Sequence, residues 1–304
     1  MKQKNIIYFL ILACRPKQWT KNLLVFAGPI FDFRFENQIF ISAFAAFLSF
    51  CLVSSSIYLL NDCIDIESDR KHPKKKFRPI AAGKVSKLSA LIFSIILLLF
   101  SITITLGLSK ILTAVIIFYF LIQLIYCLRL KREPILDIFC IASGFLLRAI
   151  AGIAAASLPN SPWFLLTIGL LALFLAIEKR KAELRLSQKR GVLTRSVLKR
   201  YSLPLLLRFE SLVSTSSFVT YSLWASGPIL KGASTSLMML TIPFVLAGIF
   251  RYQLLSDREF NNINSINQGK STESPEEILL NDKGIKSIIL SWLATCFAIY
   301  IIVL

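Results

Sequence analysis

Residues 88–108 read LSALIFSIILLLFSITITLGL and residues 111–128 read ILTAVIIFYFLIQLIYCL. Neither stretch holds a charged side chain, and only Ser109 and Lys110 separate them. About 20 apolar residues in a helix cross the roughly 30 Å of hydrocarbon in a bilayer. The apolar residues run on without alternating with polar ones, which argues against the strands of a membrane barrel. Working outward in both directions, the same density recurs and predicts spans near 19–35, 38–60, 88–108, 110–128, 135–158, 162–178, 203–226, 236–255 and 285–304. The expected architecture is an all-α integral membrane bundle of about nine transmembrane helices. It forms one domain, 1–304, and the span at 19–35 is interrupted by Gly28-Pro29.

The charges fall between the spans. Of 35 Lys and Arg, 30 lie in five segments, 1–21, 62–87, 129–132, 179–200 and 251–286. Basic connections of this kind mark the cytoplasmic side. The expectation is therefore a multi-pass protein of the cell membrane, the inner membrane in a bacterium, with its chemistry facing the cytoplasm. The same rule accounts for the net charge of +18 without nucleic acid, since no basic stripe with interleaved aromatics forms a separate domain. A transporter is disfavoured because nearly all charge sits at one face and no repeat is visible. The six cysteines show no CxxC and several lie in apolar runs, so they read as packing residues. Lys2 and Lys4 precede an apolar run ending Ala13-Cys14; residues 5–14 are expected to lie along the membrane surface. Residues 261–274 form a polar loop.

Three charged constellations carry the candidate chemistry, in loops 61–87, 126–137 and 178–200. The first is Asn61-Asp62-Cys63-Ile64-Asp65-Ile66-Glu67-Ser68-Asp69, where a membrane helix ends. At 3.6 residues per turn, Asn61, Asp65 and Asp69 share one helix face. Oxygen ligands so spaced suit Mg²⁺, which takes one or two carboxylates and completes its shell with phosphate oxygens. Lys74, Lys75, Lys76 and Arg78 follow and would bind remaining anionic charge. His72, the single histidine, reads as a loop residue or phosphate donor. The second runs from Tyr126 through Lys131 to Asp137, which enters the next helix in its first turn, where a carboxylate suits the helix dipole. Arg148 lies three turns deeper, and a buried arginine there marks a polar cavity or a partner; Glu210 is one possible partner. The third is Glu178-Lys179-Arg180-Lys181-Ala182-Glu183, in which Lys179, Arg180 and Glu183 stand closest to the helix end. Two lysines one turn apart, Lys17 and Lys21, flank Trp19 in the N-terminal segment.

An NDxxDxxxD stretch at a helix end, a second charged loop on the same side and about nine spans resemble the UbiA superfamily of intramembrane prenyltransferases over nearly the whole chain. RPKQWTKNLLVF at 15–26, His72-Pro73, Arg78-Pro79, GFLLRAIAG at 144–152, KRKAEL at 179–184 and SPEE at 274–277 are similar to its branch that acts on polyprenyl phosphates. That resemblance implies transfer of 5-phosphoribose from phosphoribosyl pyrophosphate to a polyprenyl phosphate lipid, with Mg²⁺ as cofactor. It assigns Asn61 and Asp65 to metal and pyrophosphate, with Asp69 as a further catalytic candidate. It also assigns phosphate contacts to Lys17, Lys21, Arg78, Lys131, Lys179 and Arg180. Tyr126, Asp137, Arg148 and Glu183 complete the substrate-binding candidates. The second loop lacks the aspartates usual in the superfamily, which weakens the case for a second metal. The ordinary UbiA reaction, moving a prenyl group from a prenyl diphosphate to an aromatic or other acceptor, stands as the alternative. Self-association is compatible with either.

Overall fold

A computed structural model describes residues 2–33, 36–72, 74–159, 161–190, 196–261 and 281–303. Among them the regular structure is helical: α1 (Lys2–Ala13), a 3₁₀ segment (Pro16–Phe26), α2 (Ala27–Phe31), α3 (Asn37–Ile64), α4 (Ile66–Lys71), α5 (Lys87–Leu106), α6 (Lys110–Leu128), α7 (Leu136–Ala156), α8 (Pro162–Arg190), α9 (Leu203–Ala225), α10 (Ile242–Asn261) and α11 (Lys283–Val303). Among the described residues, seven helical stretches are long and apolar enough to cross a membrane: α3, α5, α6, α7, α8 from Pro162 to Gln188, Ser236–Asp257 and α11. The 23 residues of α9 are more polar, with Arg208, Glu210 and a run of Ser and Thr. The chain is a multi-pass membrane protein.

α5 shows how these helices are built. Ile92, Ile95, Ile96, Leu99 and Phe100 are exposed, while Ala90, Ser94, Ser101 and Thr105 are buried. Both sets recur at helical spacing, so the apolar stripe faces outward and the small hydroxyl residues face inward. Lipid is as apolar as leucine, so small residues that allow close approach, and hydrogen bonds, hold such helices together. Ser94 pairs with Ser56 at 2.9 Å, and the Ser101 hydroxyl donates to the Ser49 carbonyl at 2.9 Å.

The chain divides into two compact units, Met1–Lys131 with Leu147–Pro159, and Arg132–Leu146 with Asn160–Leu304. In the first, the expected span at 19–35 is not a single helix. Residues 16–26 form a 3₁₀ segment and α2 ends at Phe31. Runs of 3₁₀ helix this long are uncommon, and tertiary contacts impose this one. It lies antiparallel against α3: Trp19 Nε1 donates to Ser55 Oγ at 3.1 Å, Asn22 Nδ2 to Cys51 Sγ at 3.2 Å, and the Phe26 and Phe47 rings lie 5.7 Å apart. On another side the backbone of α7 touches it, since a Cβ at Gly152 would stand 1.7 Å from the Val25 carbonyl oxygen. Gly152→Ala should therefore destabilise the protein by at least about 1–3 kcal/mol, the usual cost of overpacking. Gly169, whose added Cβ would meet a Leu146 methyl at an ordinary 3.8 Å, is the control. Thermal unfolding of the two alanine variants in one detergent checks this, and equal midpoints would refute the close approach.

The second unit packs α8 against α9 and α10 against α11. Thr167 donates to Thr220 at 3.1 Å, and Trp292 Nε1 to Tyr221 at 2.9 Å. α8 does not stop near residue 178, where charge begins, but runs on to Arg190. Its buried charges are paired within this unit, and Lys, Glu, Arg, Ala and Leu are all good helix formers. α1 carries exposed Ile6, Ile7, Tyr8, Ile11 and Leu12 ahead of buried Ala13 and Cys14. The six cysteines are free and buried, and burial pushes the Cys14 thiol up to about 11. Most of the loop 261–274 and the 274–277 stretch lie outside the described residues.

Candidate active site

In the first unit the acidic stretch sits at a helix junction. α3 ends at Ile64, Asp65 forms the corner, and α4 begins at Ile66. The i to i+4 pattern nevertheless continues, with Asp65 N–H donating to the Asn61 carbonyl at 2.9 Å and Asp69 N–H to the Asp65 carbonyl at 2.8 Å. Asn61, Asp65 and Asp69 thus stay in helical sequence across the bend.

Cations meet three of the four acids. Buried Asp62 accepts through Oδ1 from Arg15 and, at 3.1 Å, from Arg78 Nη1. Arg78 Nη1 also donates to Oδ2 of buried Asp69 at 2.7 Å. Asp65, half-buried, pairs through Oδ1 with Lys131 Nζ at 2.5 Å. The side chain of half-buried Asn61 bonds Asp62. Arg15 lies with its guanidinium 4.9 Å from the Tyr58 ring centroid. Its backbone is left-handed, φ 54°, a conformation disfavoured for a non-glycine residue and more so before proline. Strain of this kind persists where surrounding structure fixes it, and here the Asp62 contact holds the side chain. His72 Nδ1 accepts from the N–H groups of Lys74 and Lys75, both at 3.2 Å, so it organises the turn that leads to Arg78.

Lys17 is exposed on the 3₁₀ segment, and Lys21 is half-buried with Nζ 3.4 Å from Gln18 Oε1. Tyr126, also half-buried, lies in the last turn of α6. Arg148 is buried: Nε donates to Asn22 Oδ1 at 2.7 Å, Nη2 to Tyr119 at 3.2 Å, and the guanidinium faces the rings of Phe50 and Tyr119. Glu210 instead takes Lys181, which also bonds Glu178 at 2.5 Å, and accepts from Gln253 at 3.0 Å. The sequence-level pairing of Arg148 with Glu210 is replaced by these partners.

The second unit gathers Asp137, Arg180 and Glu183. Arg180 has no exposed surface. Its Nε donates to Asp137 Oδ2 and its Nη1 to Glu183 Oε2, each at 2.5 Å. Asp137 Oδ1 accepts from Tyr201 at 2.7 Å, and the Tyr201 oxygen accepts the Ile135 N–H at 2.6 Å. Burial pushes the Tyr201 phenol above its ordinary range, so it stays a donor to Asp137. Ile135 itself is left-handed, φ 70°, unusual for a β-branched residue. The three residues therefore form a satisfied buried network that fastens the turn before α7. Lys179 is half-buried on α8.

Sequence reasoning passed over Asp62, Arg15 and Tyr201. Asp62 had a signal, an acid one turn inside the end of an apolar helix, and Arg15 stood beside residues already singled out. Tyr201 had none, being 64 residues from the aspartate it bonds.

The sequence profile described as UbiA prenyltransferase family matches residues 24–266. A Mycolicibacterium smegmatis protein named decaprenyl-phosphate phosphoribosyltransferase is 39% identical over 311 residues, covering 96% of this chain and 92% of its own. Proteins of the same name from Mycobacterium tuberculosis and Corynebacterium glutamicum are 35% and 37% identical, covering 96% and 98% of this chain and 94% and 89% of theirs. A UbiA homolog from Archaeoglobus fulgidus, solved bound to GPP and Mg²⁺, superposes with a TM-score of 0.70 at 18% identity, covering 96% of this chain and 99% of that one.

Proposed function

We propose that this chain, which belongs to the UbiA prenyltransferase family, transfers 5-phosphoribose from phosphoribosyl pyrophosphate to a polyprenyl phosphate and releases pyrophosphate. The observation that carries this reading is its 35–39% identity, over 96% or more of its length, to three proteins named for that activity. In the reaction the bond from ribose C1 to the pyrophosphate oxygen breaks and a bond from C1 to a lipid phosphate oxygen forms. The acceptor is already an anion, so no general base is required. What the protein must supply is a place for anionic charge, and stabilising charge as it develops on a leaving group is where enzymes gain most.

The residues present fit a divalent cation carried with its substrate. Among the described residues no group of three His, Cys, Asp or Glu side chains is arranged to hold a metal alone. Asn61 and Asp65, one turn apart, offer two hard oxygen donors, and diphosphate oxygens would complete the shell, as Mg²⁺ prefers. When bound, Mg²⁺ would neutralise charge building on the leaving pyrophosphate. Arg78, Lys131, Lys17 and Lys21 supply cations in the same unit. Asp69 enters through Arg78, which it orients. Asp137, Glu183 and Arg180 act on the turn before α7, with Lys179 beside them on α8. Tyr126 and Arg148 are assigned to the substrate side of the first unit. The basic segments support a cell-membrane location with this face toward the cytoplasm.

Prenyl transfer from a prenyl diphosphate is favoured by one observation, that the matched Archaeoglobus structure was solved with GPP. Purified protein given Mg²⁺, a polyprenyl phosphate and one of two radiolabelled donors separates the readings. Label from phosphoribosyl pyrophosphate should enter the lipid fraction. Label from a prenyl diphosphate alone, entering an aromatic acceptor, would replace the proposal with the alternative.

A further inference from the structure

The acids of the Asn61–Asp69 stretch are not equally available. The carboxylates of Asp62 and Asp69 are 2% and 4% exposed, and both hold Arg78, with Arg15 also on Asp62. Opening a buried pair leaves a charge uncompensated where water cannot reach it, so these contacts are fixtures. Asp65 differs: its side chain is 25% exposed and is met through one oxygen by one ammonium, that of Lys131. The ammonium is 13% exposed, so both members of this pair keep contact with water and opening it costs less than opening a pair whose carboxylate is sealed off. Lysine also carries its charge on a flexible four-carbon stem with three rotatable donors, unlike the planar fork of the arginines at the buried pairs.

We infer that Lys131 is a displaceable counter-ion for Asp65, exchanging that carboxylate for phosphate oxygens when a divalent cation and a diphosphate bind together. This rests on the reading of Asp65 as a metal ligand. A divalent cation arriving alone at Asp65 meets the repulsion of the Lys131 ammonium. A diphosphate arriving alone at Lys131 meets the repulsion of Asp65 and must break the pair. Arriving together, each finds an opposite charge: the cation takes Asp65, the ammonium takes the diphosphate, and no charge is stranded. The two ligands are then coupled, and the coupling is reciprocal by thermodynamic necessity. Lys131 would thus make metal binding conditional on substrate, which phosphate contact alone would not do.

The exchange predicts effects of opposite sign, read without any turnover. Mn²⁺ binding to the full-length detergent-purified protein is followed by electron paramagnetic resonance, and inorganic pyrophosphate binding by calorimetry. Lys131→Met, which keeps length and removes charge, should bind Mn²⁺ alone about 5- to 10-fold more tightly. At saturating Mn²⁺ it should bind pyrophosphate at least ~10-fold more weakly, within the usual range of coupling between two sites. Asp65→Asn should lose Mn²⁺ binding yet bind metal-free pyrophosphate several-fold more tightly, because its ammonium is released; this variant carries the test if Lys131→Met does not fold. Unchanged Mn²⁺ affinity in Lys131→Met, or shifts of the same sign for both ligands, would overturn the exchange. Wild-type Mn²⁺ binding by Asp65→Asn would overturn it too, by removing Asp65 as a ligand. Both donors under consideration carry a diphosphate, so failure of phosphoribosyl transfer in the labelling assay would leave this result standing.

Discussion

Asp65→Asn should lower turnover at least ~100-fold while leaving the folded protein almost untouched. On the proposed function, the loss is that of a group stabilising charge on the departing pyrophosphate; removing one such group costs about 2.7–4 kcal/mol of barrier, or 10²–10³ in rate. The small effect on folding follows from position. Asp65 is half-buried at a helix corner, and its pair with Lys131 at 2.5 Å keeps both charges in contact with water, so losing it costs less than the ~3–5 kcal/mol of breaking a fully buried pair. The isosteric amide can still accept a hydrogen bond from Lys131. Steady-state rates in saturating Mg²⁺, together with size-exclusion profiles and unfolding midpoints, give both quantities. Near-normal turnover would reduce Asp65 to a structural partner of Lys131.

Arg180→Ala should act in the opposite sense, removing the folded protein before any kinetic constant can be read. Its guanidinium is fully buried between Asp137, itself without exposed surface, and Glu183. Taking away one member of a buried ionic network costs about 3–5 kcal/mol, because the remaining charges cannot regain water. Lysine should rescue poorly, since one ammonium cannot reproduce bonds made from Nε and Nη1 to two separate carboxylates. Fluorescence-detected size exclusion of the alanine and lysine variants would show the loss directly. A well-folded Arg180→Ala enzyme with wild-type stability and a donor constant raised 10- to 100-fold would instead restore this arginine to the substrate, the role its sequence suggested.

The long helices were legible because an apolar run of bilayer length has few alternatives, and α3, α5, α6, α7 and α11 begin and end within a few residues of expectation. The 3₁₀ segment was not, because its conformation is dictated by Ser55, Cys51 and Gly152, residues of other elements. The charged constellations were visible as clusters, but charge alone does not name a partner. Lys131 and Asp65 are 66 residues apart, and Arg15 and Asp62 are 47 apart. Nor does a charged run reveal whether it is wet. Residues 178–183 look like the start of a surface loop, yet Glu178, Arg180, Lys181 and Glu183 are buried in a continuing helix. What marks them as interior is the matched acid or base on other stretches of the chain, at Asp137 and Glu210.

The two faces of α5 answer to different judges. Ile95 and Leu99 are exposed, and in a membrane hydrocarbon scarcely distinguishes one branched alkane side chain from another. Ser94 and Ser101 meet Ser56 and the Ser49 carbonyl on α3 at 2.9 Å, where one extra methyl group would push the helices apart. Exchanges among isoleucine, leucine and phenylalanine on the greasy exterior therefore cost little. Enlarging the thin seam of serines would not be cheap, so the least hydrophobic residues of the helix are the ones that set how closely it packs on α3.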